Sequence, residues 1–361
     1  MSNSGLQLDG LEVHRGSFRL GPLDLDVPAG CCLAVQGANG AGKTTLLEAV
    51  AGFTSVDAGS VTLHGRDITA HTPERRRIAY VPQDLALFPH LTVEGNLAFG
   101  LRGEPRDKRS RLQRLLVEFR LAGMESRYPR ELSRGQRQRL ALARALAMEP
   151  ALVLLDEPSA NLDAASRQTL HMGVRHLLDE HGLAVVYVTH DRSEAAILAD
   201  HVAVLANGSL LQAGPYREVL ARPADVRVAA QLGIDNLWPT RVVGSTEGGL
   251  RLEIAGRVLD SAATTVPPGE LQAGLCAGEI ELLRSKPEST DNCLEVTVTA
   301  LQTTGALLMV QLDGSPRLQA WAPGWWARDL TVGSRLWARL PPDALRLVPQ
   351  APSIGDVDPA G

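Results

Sequence analysis

Four short runs of this chain are apolar almost throughout: CCLAV (31–35), IAYV (78–81), ALVLLD (151–156) and AVVYVTH (184–190). A strand with one wet face alternates apolar and polar residues, whereas a strand of a parallel sheet covered on both faces does not. These runs therefore predict buried strands of a parallel sheet. Helical spacing appears between them. KTTLLEAVAG (43–52) reads as a helix, and RDKRSRLQRLLVEFR (106–120) places Leu112, Leu115, Leu116 and Phe119 on one face with basic residues opposite. ELSRGQRQRLALARALAMEP (131–150) offers Ser133 as a helix N-cap, a buried face at Leu140, Ala143, Leu146 and Ala147, and a stop at Pro150. Alternating strands and helices up to about residue 232 predict an α/β domain, with a helical subdomain over about 84–148.

The texture changes beyond Leu232. All five tryptophans (Trp238, Trp321, Trp325, Trp326 and Trp337) follow it, and short alternating segments such as LEVTVTAL (294–301) appear between glycines and prolines. TRVVG…GLRLEIAG (240–256) resembles TVTAL…GALLMVQLDG (297–314) as strand, turn, strand. Two related units of this kind predict a small β-barrel, or a pair of them, over 233–350. The last residues, 351–361, read as a disordered tail.

Composition narrows the function. The chain has 361 residues, 44% hydrophobic and 21% charged, as globular proteins do. A net charge of −5 gives no support to nucleic acid as a partner, and the basic face of 106–120 reads as a solvated helix surface. Cys31, Cys32, Cys276 and Cys293 lack metal-ligand spacing. The start has no basic n-region with an apolar core, and no run approaches the roughly 20 apolar residues needed to span a bilayer. The expectation is a reduced, cytosolic protein; in a transport role, another polypeptide must form the pore.

The chemistry begins at GANGAGKTT (37–45), which fits the phosphate-loop pattern G-x-x-x-x-G-K-[ST] at Gly37, Gly42, Lys43 and Thr44. Its setting between an apolar strand and a helix is the one such a loop requires. Glycines let successive N–H groups face a polyphosphate, and the helix N-terminus adds partial positive charge. Gly37, Asn39, Gly40, Ala41, Gly42, Lys43, Thr44 and Thr45 are thus the candidate nucleotide ligands. Lys43 would reach the β- and γ-phosphates, and Thr44 would hold Mg²⁺. LVLLDEP (152–158) ends a buried strand in two acids. At that edge Asp156 suits Mg²⁺, and Glu157 suits the water that attacks the γ-phosphate.

With LSRGQ at 132–136, these motifs in this order resemble the ATP-binding cassette (ABC) ATPases over residues 1 to about 230. The resemblance implies a P-loop NTPase fold with a helical subdomain, ATP and Mg²⁺ as ligands, and a head-to-tail homodimer sandwiching two nucleotides. Within that pairing, Ser133, Gly135 and Gln136 would meet the γ-phosphate held by the second copy. Gln83, in YVPQD, would link Mg²⁺ and water to the helical subdomain. His190, in VTHD, would sense the γ-phosphate, and Asp163, in SANLD, would touch the partner copy. Three departures stand out. Arg134 replaces the middle glycine of the family's LSGGQ. Arg15, beside Gly16, stands where the family's adenine-stacking aromatic is common, which leaves Arg15 as the stacking candidate. LCAGEIEL (275–282) lacks the Arg-Pro-Glu motif of related importers.

A single cassette followed by a small β domain is similar to the ATPase subunits of binding-protein-dependent importers, whose C-terminal region is an OB-like (TOBE-like) barrel. FPHLTVEGNLAFGL (88–101) and THDRSEAAILAD (189–200) are most similar to the molybdate and tungstate type. Ferric iron, sulfate, sugar and polyamine importers are the alternatives. The resemblance implies two transmembrane permease subunits, an indirect extracytoplasmic binding protein, and a peripheral place on the cytoplasmic face of the inner membrane. A soluble ABC ATPase outside transport fits less well, because neither a second cassette nor a long coiled coil is present. A ligand-binding regulatory role for the β domain is compatible with transport.

Overall fold

The computed structural model describes residues 4–101, 103–160, 162–288 and 291–351; the tail expected to be disordered lies, but for residue 351, outside them. The chain divides into two compact units, 1–216 and 217–361.

In chain order the first unit contains β1 (Ser4–Arg15), β2 (Phe18–Pro28), β3 (Cys32–Gln36), α1 (Lys43–Ala51), β4 (Ala58–Leu63), β5 (Arg66–Asp67), α2 (Pro73–Arg76), β6 (Ile78–Val81), α3 (Val93–Gly100), α4 (Pro105–Glu118), α5 (Arg134–Ala147), β7 (Leu152–Asp156), α6 (Ala164–Asp179), β8 (Ala184–Val188), α7 (Arg192–Leu198), β9 (His201–Ala206) and β10 (Ser209–Pro215). One sheet is antiparallel, in the order β2-β1-β4-β5. The other has the order β10-β9-β3-β8-β7-β6 and is parallel except for the edge strand β10.

The all-apolar runs are explained by what covers them. On β7, Val153 and Leu155 enter a core shared with α3, α4, α5 and α6, whereas Leu152 and Leu154 enter a second core shared with α1 and the antiparallel sheet. β8 divides in the same way, with Val185 and Tyr187 on one side and Ala184, Val186 and Val188 on the other. Each buried leucine or valine contributes about 1.5–3 kcal/mol. Both faces of the strand collect that gain, so the Tyr187 hydroxyl is the one side-chain polar group between the ends of β3, β7 and β8.

The second unit adds α8 (Tyr216–Ala221), which starts at the boundary, α9 (Val226–Gln231), and ten strands: β11 (Asn236–Thr246), β12 (Gly249–Ile254), β13 (Arg257–Ser261), β14 (Leu271–Leu275), β15 (Glu281–Leu283), β16 (Cys293–Thr304), β17 (Leu307–Asp313), β18 (Leu318–Pro323), β19 (Arg335–Arg339) and β20 (Arg346–Pro349). They form two curled five-stranded antiparallel sheets around one core, the OB-like architecture expected of this region. The sequence repeat is real at the level of strands. β11–β12 and β16–β17 are the paired hairpins, and the sheet orders β13-β12-β11-β14-β20 and β18-β17-β16-β19-β15 correspond strand for strand. Each repeat gives its fifth strand to the other sheet: β20 pairs with β14, and β15 pairs with β19.

Two buried asparagines lock the exchange in matching ways. Asn236 donates through Nδ2 to the Leu275 and Gln319 carbonyls (3.2 and 2.9 Å), and its Oδ1 accepts from the Gln319 amide (2.7 Å). Asn292 donates to the Leu340 and Asp260 carbonyls (2.9 and 2.7 Å) and accepts from the Asp260 amide (2.7 Å). Each asparagine thus grips the third strand of the opposite repeat. Arg346 adds a two-pronged pair to Glu279, both contacts at 2.7 Å. Asn236→Ala or Asn292→Ala leaves three buried backbone groups without partners, and each should cost about 2–4 kcal/mol. All five tryptophans lie in this unit, so tryptophan fluorescence during urea unfolding reads it directly. A loss below about 0.5 kcal/mol would remove the asparagines from this role.

Candidate functional site

The site lies where the parallel strands end. Register sets Val35 of β3 opposite Val188 of β8, and Asp156 of β7 opposite the same Val188. The segments leaving β3, β7 and β8 therefore start at one level, on the edge where open α/β sheets bind ligands.

After β3 the backbone turns through Gly37 (φ 156°), Gly40 (φ 80°) and Gly42 (φ 104°) into α1. At Gly37 a Cβ would lie 2.3 Å from the Leu205 carbonyl oxygen. At Gly42 it would lie 2.8 Å from Leu20 Cδ1 and 3.0 Å from the Phe18 ring. Neither position admits a larger residue. No side chain caps the first turn of α1, so its amides are available to an anion. At the other end Arg76, 4% exposed, donates through Nη1 to the Ala49 and Val50 carbonyls (2.8 and 2.9 Å). A cation at that end complements the helix dipole and anchors α1. Lys43 is folded back, with Nζ donating to the Gly37 and Ala38 carbonyls at 2.9 and 3.1 Å. Asn39, Gly40, Gly42, Lys43, Thr44, Thr45, Phe18 and Glu157 line one open groove.

The acids stand opposite the loop. Asp156 accepts from Thr44 Oγ1 (3.4 Å) through Oδ1 and from the Tyr80 hydroxyl (3.1 Å) through Oδ2. Burial, and then the Asp156 charge, push the Tyr80 phenol well up, which keeps it protonated as a donor. A hydroxyl and a carboxylate oxygen this close are hard donors of the kind Mg²⁺ takes, so Thr44 and Asp156 fit that ion. Glu157 adopts a left-handed backbone (φ 43°), a strained state for a non-glycine residue. Its amide donates to the Val188 carbonyl (3.1 Å), and its Oε2 lies 3.3 Å from His190 Nδ1. The structure thus brings Lys43, Thr44, Asp156, Glu157 and His190 to one edge.

Other expected residues lie elsewhere. Gln83 is exposed on the turn after β6 and is bonded to none of these groups. Ser133 caps α5, accepting from the Gln136 amide (3.3 Å), while Gln136 Oε1 accepts from the Ser133 amide (2.7 Å). None of the hydrogen bonds of Ser133 or Gln136 reaches the phosphate loop of the same chain. Gly135 has room, since a Cβ there would meet only Ser166 Oγ at 3.5 Å. Arg134 donates to the Ala160 carbonyl (2.8 Å). Asp163 caps α6 through the Ser166 amide (2.8 Å), and that hydrogen bond holds its carboxyl below the usual range. Arg15 pairs with Glu48 of α1 (2.7 Å) and donates to Thr54 Oγ1 (2.7 Å).

The chain is similar to known proteins. Residues 20–160 match the ABC transporter family. The chain is 43% identical over 246 residues to the molybdate/tungstate import ATP-binding protein of Thermococcus kodakarensis, covering 67% of this chain and 73% of that protein. The chain belongs to the ABC transporter family. It is also 47% identical over 231 residues to a ferric-iron import ATP-binding protein of Yersinia pestis and 46% identical over 214 residues to a sulfate/thiosulfate import ATP-binding protein of Mycobacterium tuberculosis. Those matches span 65% and 61% of the two relatives and 62% and 58% of this chain. Among solved structures it resembles the dimeric ATP-binding cassette MJ0796 in a post-hydrolysis state bound to ADP and Pi, with TM-score 0.51 and 27% identity over 58% of this chain and 98% of that one.

Within this ABC fold, several supports escaped the motif reading. Glu194 is fully buried and accepts from Ser159 Oγ (2.7 Å), Thr189 Oγ1 (2.7 Å) and the Tyr187 hydroxyl (3.2 Å). It ties the turn after β7 to the turn after β8, and so fixes Glu157 and His190 relative to each other. Gln138 of α5, 2% exposed, donates to the Pro158 carbonyl (2.7 Å). Arg144 of the same helix donates to the Ala86 and Leu85 carbonyls (2.6 and 3.1 Å), close behind Gln83 in sequence. Glu194→Ala strands three buried hydroxyls and should lower stability by about 2–4 kcal/mol. The first unit holds no tryptophan, so far-ultraviolet circular dichroism during denaturation is the appropriate measure.

Proposed function

We propose that this chain is the ATP-hydrolysing subunit of an importer and acts as a homodimer beneath two permease subunits. The observation carrying the reading is the convergence of Lys43, Thr44, Asp156, Glu157 and His190 on one strand edge. In this reading Lys43 leaves the Gly37 and Ala38 carbonyls for the β- and γ-phosphates, which sit on the loop from Gly37 to Thr45. Thr44 and Asp156 hold Mg²⁺, with Gln83 completing its surroundings once the helical subdomain moves inward. When bound, Mg²⁺ neutralises phosphate charge. Glu157 orients and polarises the attacking water, and His190, whose Nδ1 lies 3.3 Å from Glu157 Oε2, stabilises the γ-phosphate. Arg15, its guanidinium fixed by Glu48 and Thr54, offers a flat surface to the adenine.

The second copy supplies Ser133, Gly135 and Gln136. The N-terminal dipole of the 14-residue α5, which begins beside Gly135, suits an anion. α5 also explains the coupling. Gln138 and Arg134 hold the turn around Glu157, and Arg144 holds the segment beyond Gln83, so one rigid helix joins the signature segment to both. On the helical subdomain Phe99 is 69% exposed and packs on Phe88 with centroids 4.5 Å apart. Such a pair suits a short cytoplasmic helix of a permease. No described helix is long and apolar enough to cross a membrane, so the transport path is assigned to partner subunits on the inner membrane, with a binding protein outside. The proposed cargo is molybdate or tungstate, supported by the Thermococcus relative, whose match covers the larger share of this chain, and by the duplicated β unit.

Glu157→Gln should bind ATP, hydrolyse it at least about 100-fold more slowly and accumulate as a dimer in size-exclusion chromatography with ATP. A monomer under those conditions sinks the sandwich, and undiminished hydrolysis takes Glu157 out of its role. With the co-purified permease in vesicles, molybdate should stimulate ATPase activity; stimulation by ferric iron or sulfate alone would reassign the cargo.

A further inference from the structure

Away from the nucleotide edge, one side chain from the end of α4 meets two from the end of α6 and the turn after it. Glu118 is the last residue of α4, His176 lies in the last turn of α6, and His181 follows the end of that helix. His176 Nε2 is 2.7 Å from Glu118 Oε1, and His181 Nε2 is 2.8 Å from the same oxygen. The three potential ligand atoms all lie within 4.8 Å of one another. The imidazoles are held edge to face, His176 against His181 (5.4 Å, 86°) and against Phe119 (5.9 Å, 84°).

We propose that Glu118, His176 and His181 form a binding site for a borderline divalent transition metal, Zn²⁺ being the representative ion. Two imidazole nitrogens and one carboxylate oxygen are a donor set that zinc takes with three protein ligands and an open fourth position. Tetrahedral bonds of about 2.0–2.1 Å place ligand atoms about 3.3–3.4 Å apart. The two contacts here need to open by only about half an ångström, within the reach of partly exposed side chains. The donors select among metals. Arg120 and Arg139 line the same groove, and their charge opposes every divalent cation alike. Imidazole coordination favours zinc, nickel or cobalt. Arg111, which feels the Glu118 charge, is paired with Glu149. Binding there fastens the end of α4, in the helical layer, to the end of α6.

The test uses the full chain, stripped with chelator and free of nucleotide, then dialysed against Zn²⁺ and assayed for bound metal. One equivalent should bind to the unsubstituted protein, and Co²⁺ should give a visible ligand-field band. His181→Ala and Glu118→Gln should each weaken binding by about tenfold or more and abolish the rise in melting temperature that zinc produces. His181 and Glu118 are partly exposed, and matching circular dichroism spectra establish that the variants fold. Binding that survives His181→Ala, that follows Cys31→Ser instead, or that is weaker than about 1 mM in the unsubstituted protein overturns the site. A loss of binding confined to the two ligand variants sustains it.

Discussion

The constraint on which the nucleotide site depends is the level at which β3, β7 and β8 end. A parallel ladder fixes neighbouring strands residue by residue, and here it sets Val35, Asp156 and Val188 side by side. A slip of one residue would turn each strand's side chains to the opposite face. Both faces are packed, so such a slip would also exchange Val153 and Leu155 with Leu152 and Leu154 between two differently shaped cores. The hydrophobic packing that stabilises the sheet is thus also what positions the chemistry. Lys43 and Thr44 lie more than 100 residues before Asp156, Glu157 and His190 in sequence, and the three segments meet because their strands stop together.

Around that edge the supports are polar, and Glu194, Arg76 and Gln138 among them are buried. Glu194 gathers three hydroxyls beneath the turns after β7 and β8, and Arg76 closes the far end of α1. Gln138, Arg134 and Arg144 make α5 a strut between the segment after Gln83 and the turn holding Glu157. Such groups are costly to bury without partners, and Gln138 Nε2 and Glu194 Oε2 are committed to a carbonyl and to three hydroxyls, although Gln138 Oε1 and Glu194 Oε1 accept no hydrogen bond. The strain at Glu157, held in a left-handed backbone, belongs to the same economy of position: the Val188 carbonyl and the neighbouring packing hold it there. The second unit shows a different solution. Two similar half-barrels trade their last strands, and one buried asparagine in each closes the exchange, so neither repeat completes its sheet alone.

Much of this was legible in the residues. The unbroken apolar runs announced a sheet covered on both faces, and the glycines at 37, 40 and 42 announced a backbone that must approach a ligand. Ser133 announced a capped helix start, which its bond from the Gln136 amide realises. The repeat at 240–256 and 297–314 announced duplicated hairpins. These are local signals, carried by period, turn chemistry or capping, and neighbouring residues suffice to write them. Illegible were Tyr80 on Asp156, Glu194 beneath the two turns, Arg76 behind α1 and the meeting of Glu118 with His176 and His181. Nothing next to a glutamate in sequence says that three hydroxyls from other segments will surround it.

The sequence by itself therefore determined the kinds of element, their order, the phosphate-binding loop and the acids that face it. Each depends on contacts within a few residues or on whether a strand is wet. Only the tertiary structure decided which strands are neighbours, at what level they end, that Arg15 is committed to Glu48 and Thr54, that α5 braces both turns, and that the two β repeats exchange strands. Those outcomes depend on pairing and packing between segments tens to hundreds of residues apart. There the choice is made by the fit of whole faces and the satisfaction of buried polar groups, which no short stretch of sequence records.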